Sequence, residues 1–202
     1  THNSRGGVAV AVDHVAAAAA AARESDVPVH LDGARLFNAA TALGVDASEI
    51  VDHVDSVMFC LSKGLGAPVG SMLCGSESFV DEARRVRKLF GGGMRQAGVI
   101  AAPGLRALEN RRRLAEDHEN AQVLADGLAT IDGLAVQEPD TNIVLVDTSD
   151  TGLTAEAFLD ACEAEDVHGS AFDEYVVRFT THLDVDRDDV ETAVDRVRSV
   201  LA

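Results

Sequence analysis

The amino-acid sequence predicts an α/β sheet structure in its first half and a small α+β unit in its second. Three observations predict this. In the first half, short apolar runs alternate with helix-prone stretches, the pattern of a sheet carrying helices on its faces. A long helical stretch then intervenes, after which the pattern changes to short strands flanked by two helices. Hydrophobic residues make up 47% of 202 residues, so the chain is globular and long enough for one large domain or two small ones. The boundary falls near Arg112, giving domains 1–112 and 113–202.

The elements follow in order. Thr1 to Gly7 reads as a loop. Asp13 to Glu24 reads as a helix, favoured by its alanines and capped by Asp13. Val27-Pro28-Val29-His30-Leu31 is a short apolar run ending in Asp32-Gly33, which predicts a buried strand and a turn. Ala34 to Leu43 reads as a helix, Ser56 to Leu61 as a second strand ending at Ser62-Lys63-Gly64, and Gly70 to Cys74 as a third. Ser78 to Arg87 is helical and basic at its end. After Gly91 to Gly93 the chain reads as helical from Gln96 to Leu128, with a break near Pro103 or Arg112. In the second domain Val136, Asn142 to Val146 and Tyr175 to Thr180 read as strands, and Thr154 to Glu165 as a helix. The final helix starts at Asp186, where Asp186 and Asp189 resemble a capping box. Val190, Ala193, Val194, Val197 and Leu201 then share one face.

Composition excludes several function classes. The net charge of -17 repels phosphate backbones and anionic membrane surfaces, so neither nucleic acid nor membrane is expected as a partner. No window approaches the roughly 18 unbroken apolar residues of a membrane helix. The acid is spread along the chain, and Lys63 and Lys88 are its two lysines. Such a surface suits a protein that stays soluble in high salt. Cys60, Cys74 and Cys162 read as reduced, buried thiols of a cytoplasmic protein. No CxxC or Cys/His cluster points to zinc, and no metal is expected.

In an α/β sheet of this type ligands bind at the carboxyl ends of the strands, and Asp32 and Lys63 both occupy such positions. Lys63 stands just past an apolar strand in a Gly-rich turn. A lysine there can form an imine with an aldehyde when partial burial or neighbouring cations favour the free amine, and glycines let a flat ring approach the backbone. A surface lysine in a turn is the alternative. Asp32, read as buried, either pairs with a protonated ring nitrogen or caps the helix that follows. Arg35 either contacts an anionic or hydroxyl group of a ligand or is an ordinary exposed arginine. The segment Arg84 to Arg95 joins cations to a Gly-rich loop, which suits a phosphate or carboxylate but also answers a helix dipole. Arg178, inside an apolar strand, matches a substrate carboxylate with its planar fork, or forms an ion pair on an edge strand. His30 reads as a packed core residue. His14, His53, His118 and His168 have no evident partners.

These pieces together resemble one family. His30-Leu31-Asp32-Gly33-Ala34-Arg35-Leu36-Phe37-Asn38 is similar to its cofactor-aspartate segment, and Ser62-Lys63-Gly64-Leu65-Gly66-Ala67-Pro68-Val69-Gly70 to its cofactor-lysine segment. Arg87-Lys88 with Gly91-Gly92-Gly93-Met94-Arg95-Gln96-Ala97-Gly98 resembles its basic glycine loop, and Thr1-His2-Asn3 with Gly6-Gly7 the loop that precedes these. Arg178-Phe179-Thr180-Thr181-His182 resembles its carboxylate-binding segment. The family is the low-specificity L-threonine aldolases, within the beta-eliminating lyases of the fold-type-I pyridoxal-phosphate enzymes.

The resemblance implies the later part of an aspartate-aminotransferase-like large domain followed by a small α+β domain. It implies pyridoxal 5'-phosphate carried on Lys63 as a Schiff base, Asp32 against the pyridine nitrogen, and Arg35 and Arg95 among the cofactor contacts. Arg178 would hold the substrate carboxylate, and Lys88 and Arg95 would line the site or reach a neighbouring subunit. The implied reaction is retro-aldol cleavage of L-threonine or L-allo-threonine to glycine and acetaldehyde, in a cytoplasmic homodimer or homotetramer. In the family a long N-terminal segment precedes the Thr-His-Asn loop and supplies a phosphate-gripping loop and a ring-stacking histidine. Neither is in this sequence, so a fragment is expected. Another fold-type-I enzyme, a beta-eliminating lyase or aminotransferase, and a catalytically incomplete fragment are the alternatives.

Overall fold

A computed structural model describes all residues from 1 to 202. The chain divides into two compact units: Thr1 with Val10–Leu114, and His2–Ala9 with Ala115–Ala202. The early loop therefore belongs with the second unit, a placement that chain order does not reveal.

The first unit opens with helix α1 (Val12–Arg23). Its N-cap is Ala11, with no side-chain cap, so Asp13 is not the cap expected from sequence. Asp13 instead lies inside the first turn, where its charge favours the positive end of the helix dipole. Strand β1 (His30–Asp32) runs parallel to β2 (Ser56–Cys60), with His30 opposite Ser56 and Asp32 opposite Met58. Helices α2 (Leu36–Leu43) and α3 (Ala47–Val51) form the crossover between them. The sequence reading missed α3, a single short helix held by a reciprocal Asp46–Glu49 capping box. Strand β3 (Ser71–Gly75) returns antiparallel to β2, in the order β1-β2-β3.

The expected buried character of the first strand is corrected by the structure. β1 is an edge strand with one neighbour; His30 and Asp32 are exposed and Leu31 is half-buried. His30 is thus not a packed core residue; its ring bonds Ser56 Oγ at 2.8 Å. The first unit's interior lies on the other elements. Leu36, Ala39 and Ala40 of α2 are buried, and Phe37 meets Phe59 edge-to-face at 5.3 Å.

Helix α4 (Glu77–Leu89) is capped by Ser76 Oγ, which accepts from Phe79 N. α5 (Gly98–Glu109) continues through Pro103, and the helical path changes at a 3-10 turn over Asn110–Arg113. No helix is long and apolar enough to cross a membrane.

In the second unit, α6 (Leu114–Leu128) leads into a four-stranded sheet in the order β4-β5-β7-β6. Its strands are β4 (Ala135–Val136), β5 (Ile143–Asp147), β6 (Ser170–Ala171) and β7 (Val176–Thr180), all antiparallel to their neighbours. α7 (Ala155–Ala164) and α8 (Arg187–Val200) complete the unit. Val144 and Val146 alternate with Leu145, and Val177 and Phe179 with Arg178. One sheet face thus joins Phe158 and Cys162 of α7 and Val190, Val194 and Val197 of α8 in a core. Burial pushes the Cys162 thiol up to about 11, which leaves it an unreactive hydrophobe. The loop His2–Ala9 is tied to this unit by Ala9 N donating to Asp140 and Thr141 Oγ1 donating to Gly7 O.

Two outcomes follow for the second unit. Phe158 is fully buried, so Phe158→Ala is expected to cost about 3–5 kcal/mol in denaturant unfolding, while a loss under 1 kcal/mol would contradict the packing described. Burial lowers the pKa of His118 to about 4. Its unfolded-state pKa is higher, so the unfolded chain takes up the extra proton. The stability tied to neutral His118 is therefore present above about pH 6.5 and lost as pH falls toward 4. Stability measured against pH should fall less steeply across that window in His118→Gln than in the parent.

Candidate active site

The site is built where β1 and β2 end. Because these strands are parallel neighbours, their carboxyl ends lie on one edge of the sheet. Asp32 is the last residue of β1, and Lys63 lies in the turn that follows β2.

The turn after β1 is fastened to β2. Gly33 N donates to Met58 O at 2.8 Å, and Cys60 N donates to Ala34 O at 3.4 Å. A Cβ on Gly33 would stand 2.8 Å from Met58 O, so only glycine permits this approach. Asp32 Oδ1 accepts from Ala34 N at 3.1 Å, closing a local Asx turn. The helix itself begins later, at Leu36 with Arg35 as N-cap residue, so Asp32 is not its cap. Nor is Asp32 buried, as its apolar strand predicts: the residue is exposed.

Arg35 is half-buried at the start of α2. Thr1 shares its surroundings. Both the Arg35 guanidinium and the Asp32 carboxylate act on the backbone nitrogen of Thr1 through their charges. Thr1 thus lies within electrostatic reach of both Arg35 and Asp32, a grouping that no local sequence signal marks.

Lys63 stands on a fixed base. Gly66 N donates to Lys63 O at 2.8 Å, Ala67 N to Leu61 O at 2.9 Å, and Leu61 N to Gly70 O at 3.0 Å. Leu61, Leu65 and Ala67 are buried against Ala107 and Leu114, and Asn110 Nδ2 donates to Leu65 O at 2.7 Å. Leu61, Leu65 and Ala67 point inward while Lys63 is exposed, not partly buried. Gly66, with φ of +79°, makes the tight reversal possible.

Arg95 lies in an exposed turn before α5, and Lys88 is exposed near the end of α4. Neither forms a hydrogen bond or ion pair with Asp32 or Lys63. The Lys88 stem lies over Gly93, where an added Cβ would come within 3.0 Å of Lys88 Cδ.

Arg178 belongs to the second unit. It sits on β7, which has β5 on one side and β6 on the other, opposite Leu145 and Ser170. The edge-strand ion pair weighed from sequence is therefore excluded, since β7 is interior and Arg178 forms no ion pair. Its Nε is buried without a hydrogen-bond partner, and its guanidinium carbon lies 5.9 Å from the centre of the Phe172 ring. A buried donor of this kind favours a planar anion such as a carboxylate. The sequence reading missed Phe172, whose position beside Arg178 depends on hairpin register and leaves no local signal. His168, expected to lack partners, faces Asp166 at 3.5 Å and Glu163 at 4.0 Å.

The donor set fits pyridoxal phosphate. An exposed primary amine on a rigid turn and a carboxylate at the neighbouring strand end match the aldehyde and the ring nitrogen of that group, with Gly33 leaving no side chain between the two turns. Near Asp32, Arg35 adds a cation.

Comparison with known proteins agrees with this chemistry. The chain is 48% identical over 160 residues to low-specificity L-threonine aldolase 1 of Arabidopsis thaliana, covering 77% of this chain and 45% of that one. It is 42% identical over 181 residues to the low specificity L-threonine aldolase of Escherichia coli K12, covering 89% of this chain and 53% of that one. The chain thus spans about half the length of these curated relatives. Two solved structures share its fold. One, from Exiguobacterium and named for aromatic amino acid beta-eliminating lyase/threonine aldolase, has TM-score 0.81 at 24% identity, covering 98% of this chain and 60% of that one. The other, from Listeria monocytogenes and named for L-allo-threonine aldolase, has TM-score 0.80 at 23% identity, covering 96% and 58%. A family model for beta-eliminating lyases matches residues 1–151, the stretch that carries both Asp32 and Lys63, and the chain belongs to that family.

Proposed function

We propose that this chain is the later part of a pyridoxal-phosphate-dependent lyase that cleaves L-threonine or L-allo-threonine to glycine and acetaldehyde. The observation that carries the reading is the placement of Lys63 and Asp32 on turns that leave one sheet edge from adjacent parallel strands. The curated relatives named for threonine cleavage support the choice of reaction among those open to such a site. In domain terms, residues 1–112, apart from the loop His2–Ala9 that belongs with the second unit, supply part of the cofactor-binding domain, and residues 113–202 the small α+β domain.

When bound, pyridoxal phosphate supplies an electron sink for the pair left at Cα as the Cα–Cβ bond breaks. The chain's own residues do the rest. Lys63 would hold the cofactor aldehyde through its side-chain nitrogen, and exposure at the turn leaves that nitrogen accessible to an incoming amino acid. Asp32 presents its carboxyl group at the strand end, where it would hold a proton on the ring nitrogen by direct pairing. Arg35 and Arg95 supply further positive charge toward the cofactor. Arg178 binds the substrate carboxylate with its fork. By fixing that group it fixes which bond at Cα faces the electron sink, so its contribution is orientation.

The wider reading is a cytoplasmic homodimer or homotetramer. The net charge of -17 and the two lysines suit solubility at high salt.

The test uses the intact protein loaded with pyridoxal phosphate. Borohydride reduction should leave a pyridoxyl group on the peptide containing Lys63, and Lys63→Ala should lose both that adduct and acetaldehyde release from threonine. An adduct on another residue, or cleavage persisting in Lys63→Ala, would contradict the reading. For Arg178→Lys, which loses the bidentate fork, KM for threonine should rise roughly 10- to 100-fold with a smaller change in kcat, measured by acetaldehyde production.

A further inference from the structure

Arg178 is held differently from Arg196 and Arg198, two other arginines of its unit. Arg196 pairs with Asp166 at 3.4 Å and Arg198 with Asp195 at 2.7 Å. Arg178 has no carboxylate partner, its Nε is buried without a hydrogen bond, and what lies against its guanidinium is the ring of Phe172. A long cationic side chain left to itself samples many rotamers and must lose that freedom on binding an anion. An aromatic face within about 6 Å attracts the guanidinium while leaving the N–H edges of its plane open.

The ring is itself placed by backbone bonds. Ser170 and Ala171 pair with Arg178 and Val177, and Phe172 follows directly in the hairpin. Phe172 N donates to Val176 O at 2.8 Å, and Asp173 N and Val176 N close the turn at 3.2 and 3.3 Å. Phe172 is also 38% exposed. With Leu145 and Val176 it lines an open groove of about 500 Å³ that Ser4 and Arg5 border. Leu145 is the cross-strand neighbour of Arg178, and Val176 precedes it by two residues on the same sheet face. The side of the sheet that carries Arg178 is therefore open within this unit to a small solute.

We propose that Phe172 is a positioning residue for carboxylate recognition. Its ring holds the Arg178 fork in one plane, so that the substrate carboxylate meets a cation already oriented. The proposal rests on the assignment of Arg178 to the substrate carboxylate. Phe172 does not touch the reacting atoms; it acts through Arg178. Because the ring is partly exposed and lies outside the buried core, its replacement is expected to leave the fold intact.

The test compares two ligands in the intact, cofactor-loaded protein: glycine, which carries a carboxylate, and 2-aminoethanol, which keeps the amine and lacks it. Phe172→Leu should weaken glycine binding roughly 2- to 5-fold, the size of an exposed cation–ring contact, and leave 2-aminoethanol unchanged. KM for threonine should rise by a similar factor with kcat held, and Phe172→Tyr, which keeps the ring, should restore both. Phe172→Met, which keeps bulk without the ring, should behave as Phe172→Leu and serves in its place if that variant is unstable. Equal weakening of both ligands, unchanged glycine affinity in both ring-free variants, or a Phe172→Tyr that behaves like Phe172→Leu would overturn the proposal. If Arg178→Lys leaves glycine affinity unchanged, the assignment of Arg178 fails instead.

Discussion

The parallel pairing of β1 with β2 is the constraint on which the first unit's chemistry depends. Antiparallel neighbours would send the turn after Asp32 and the turn before Lys63 to opposite edges of the sheet. Parallel neighbours with His30 opposite Ser56 send both to one edge. The pairing is secured beyond the ladder by Gly33 N on Met58 O, a bond that exists because residue 33 has no Cβ. A larger residue there would separate the two turns, and with them the carboxylate and the amine.

A second constraint separates the rigid part of each turn from the reactive part. The backbone from Leu61 to Gly70 is closed by its own hydrogen bonds and seated on Leu65, Ala67, Ala107 and Leu114. The Lys63 side chain stands clear of that base. Asp32 follows the same plan, with one oxygen used in a local turn while the residue remains exposed. In the second unit Arg178 is fixed by interior strand pairing on both sides, and its head group rests on an aromatic face. Each functional group is thus carried by an ordered backbone that has already lost its conformational freedom, which reduces what ligand binding must still order.

Much of this was legible in the sequence because it is written in short, local signals. The apolar run before Lys63 and the glycines after it mark a strand and a turn, and Asp186 with Asp189 marks the start of α8. What escaped was set by distant neighbours. The run from Val27 to Leu31 reads as buried, yet β1 has a single partner, with His30 and Asp32 exposed and Leu31 half-buried. Of the two readings open for Asp32, the cap fails because the helix starts too late for it. The antiparallel return of β3 could have been inferred, since the segment between Cys60 and Ser71 is too short and too rich in glycine for a helical crossover. β6 is two residues long and exists only through its pairing with β7, so no periodicity announces it, and Phe172 was hidden with it.

The central claim is that Asp32 and Lys63 address opposite ends of one aromatic ring. It is tested most directly by nitrogen-15 NMR of pyridoxal phosphate labelled at the ring nitrogen and bound to the intact protein. The account predicts a protonated ring nitrogen near neutral pH in the parent, and a shift toward the neutral form in Asp32→Asn with Lys63 still carrying the cofactor. A ring nitrogen whose signal is the same in both proteins would contradict it.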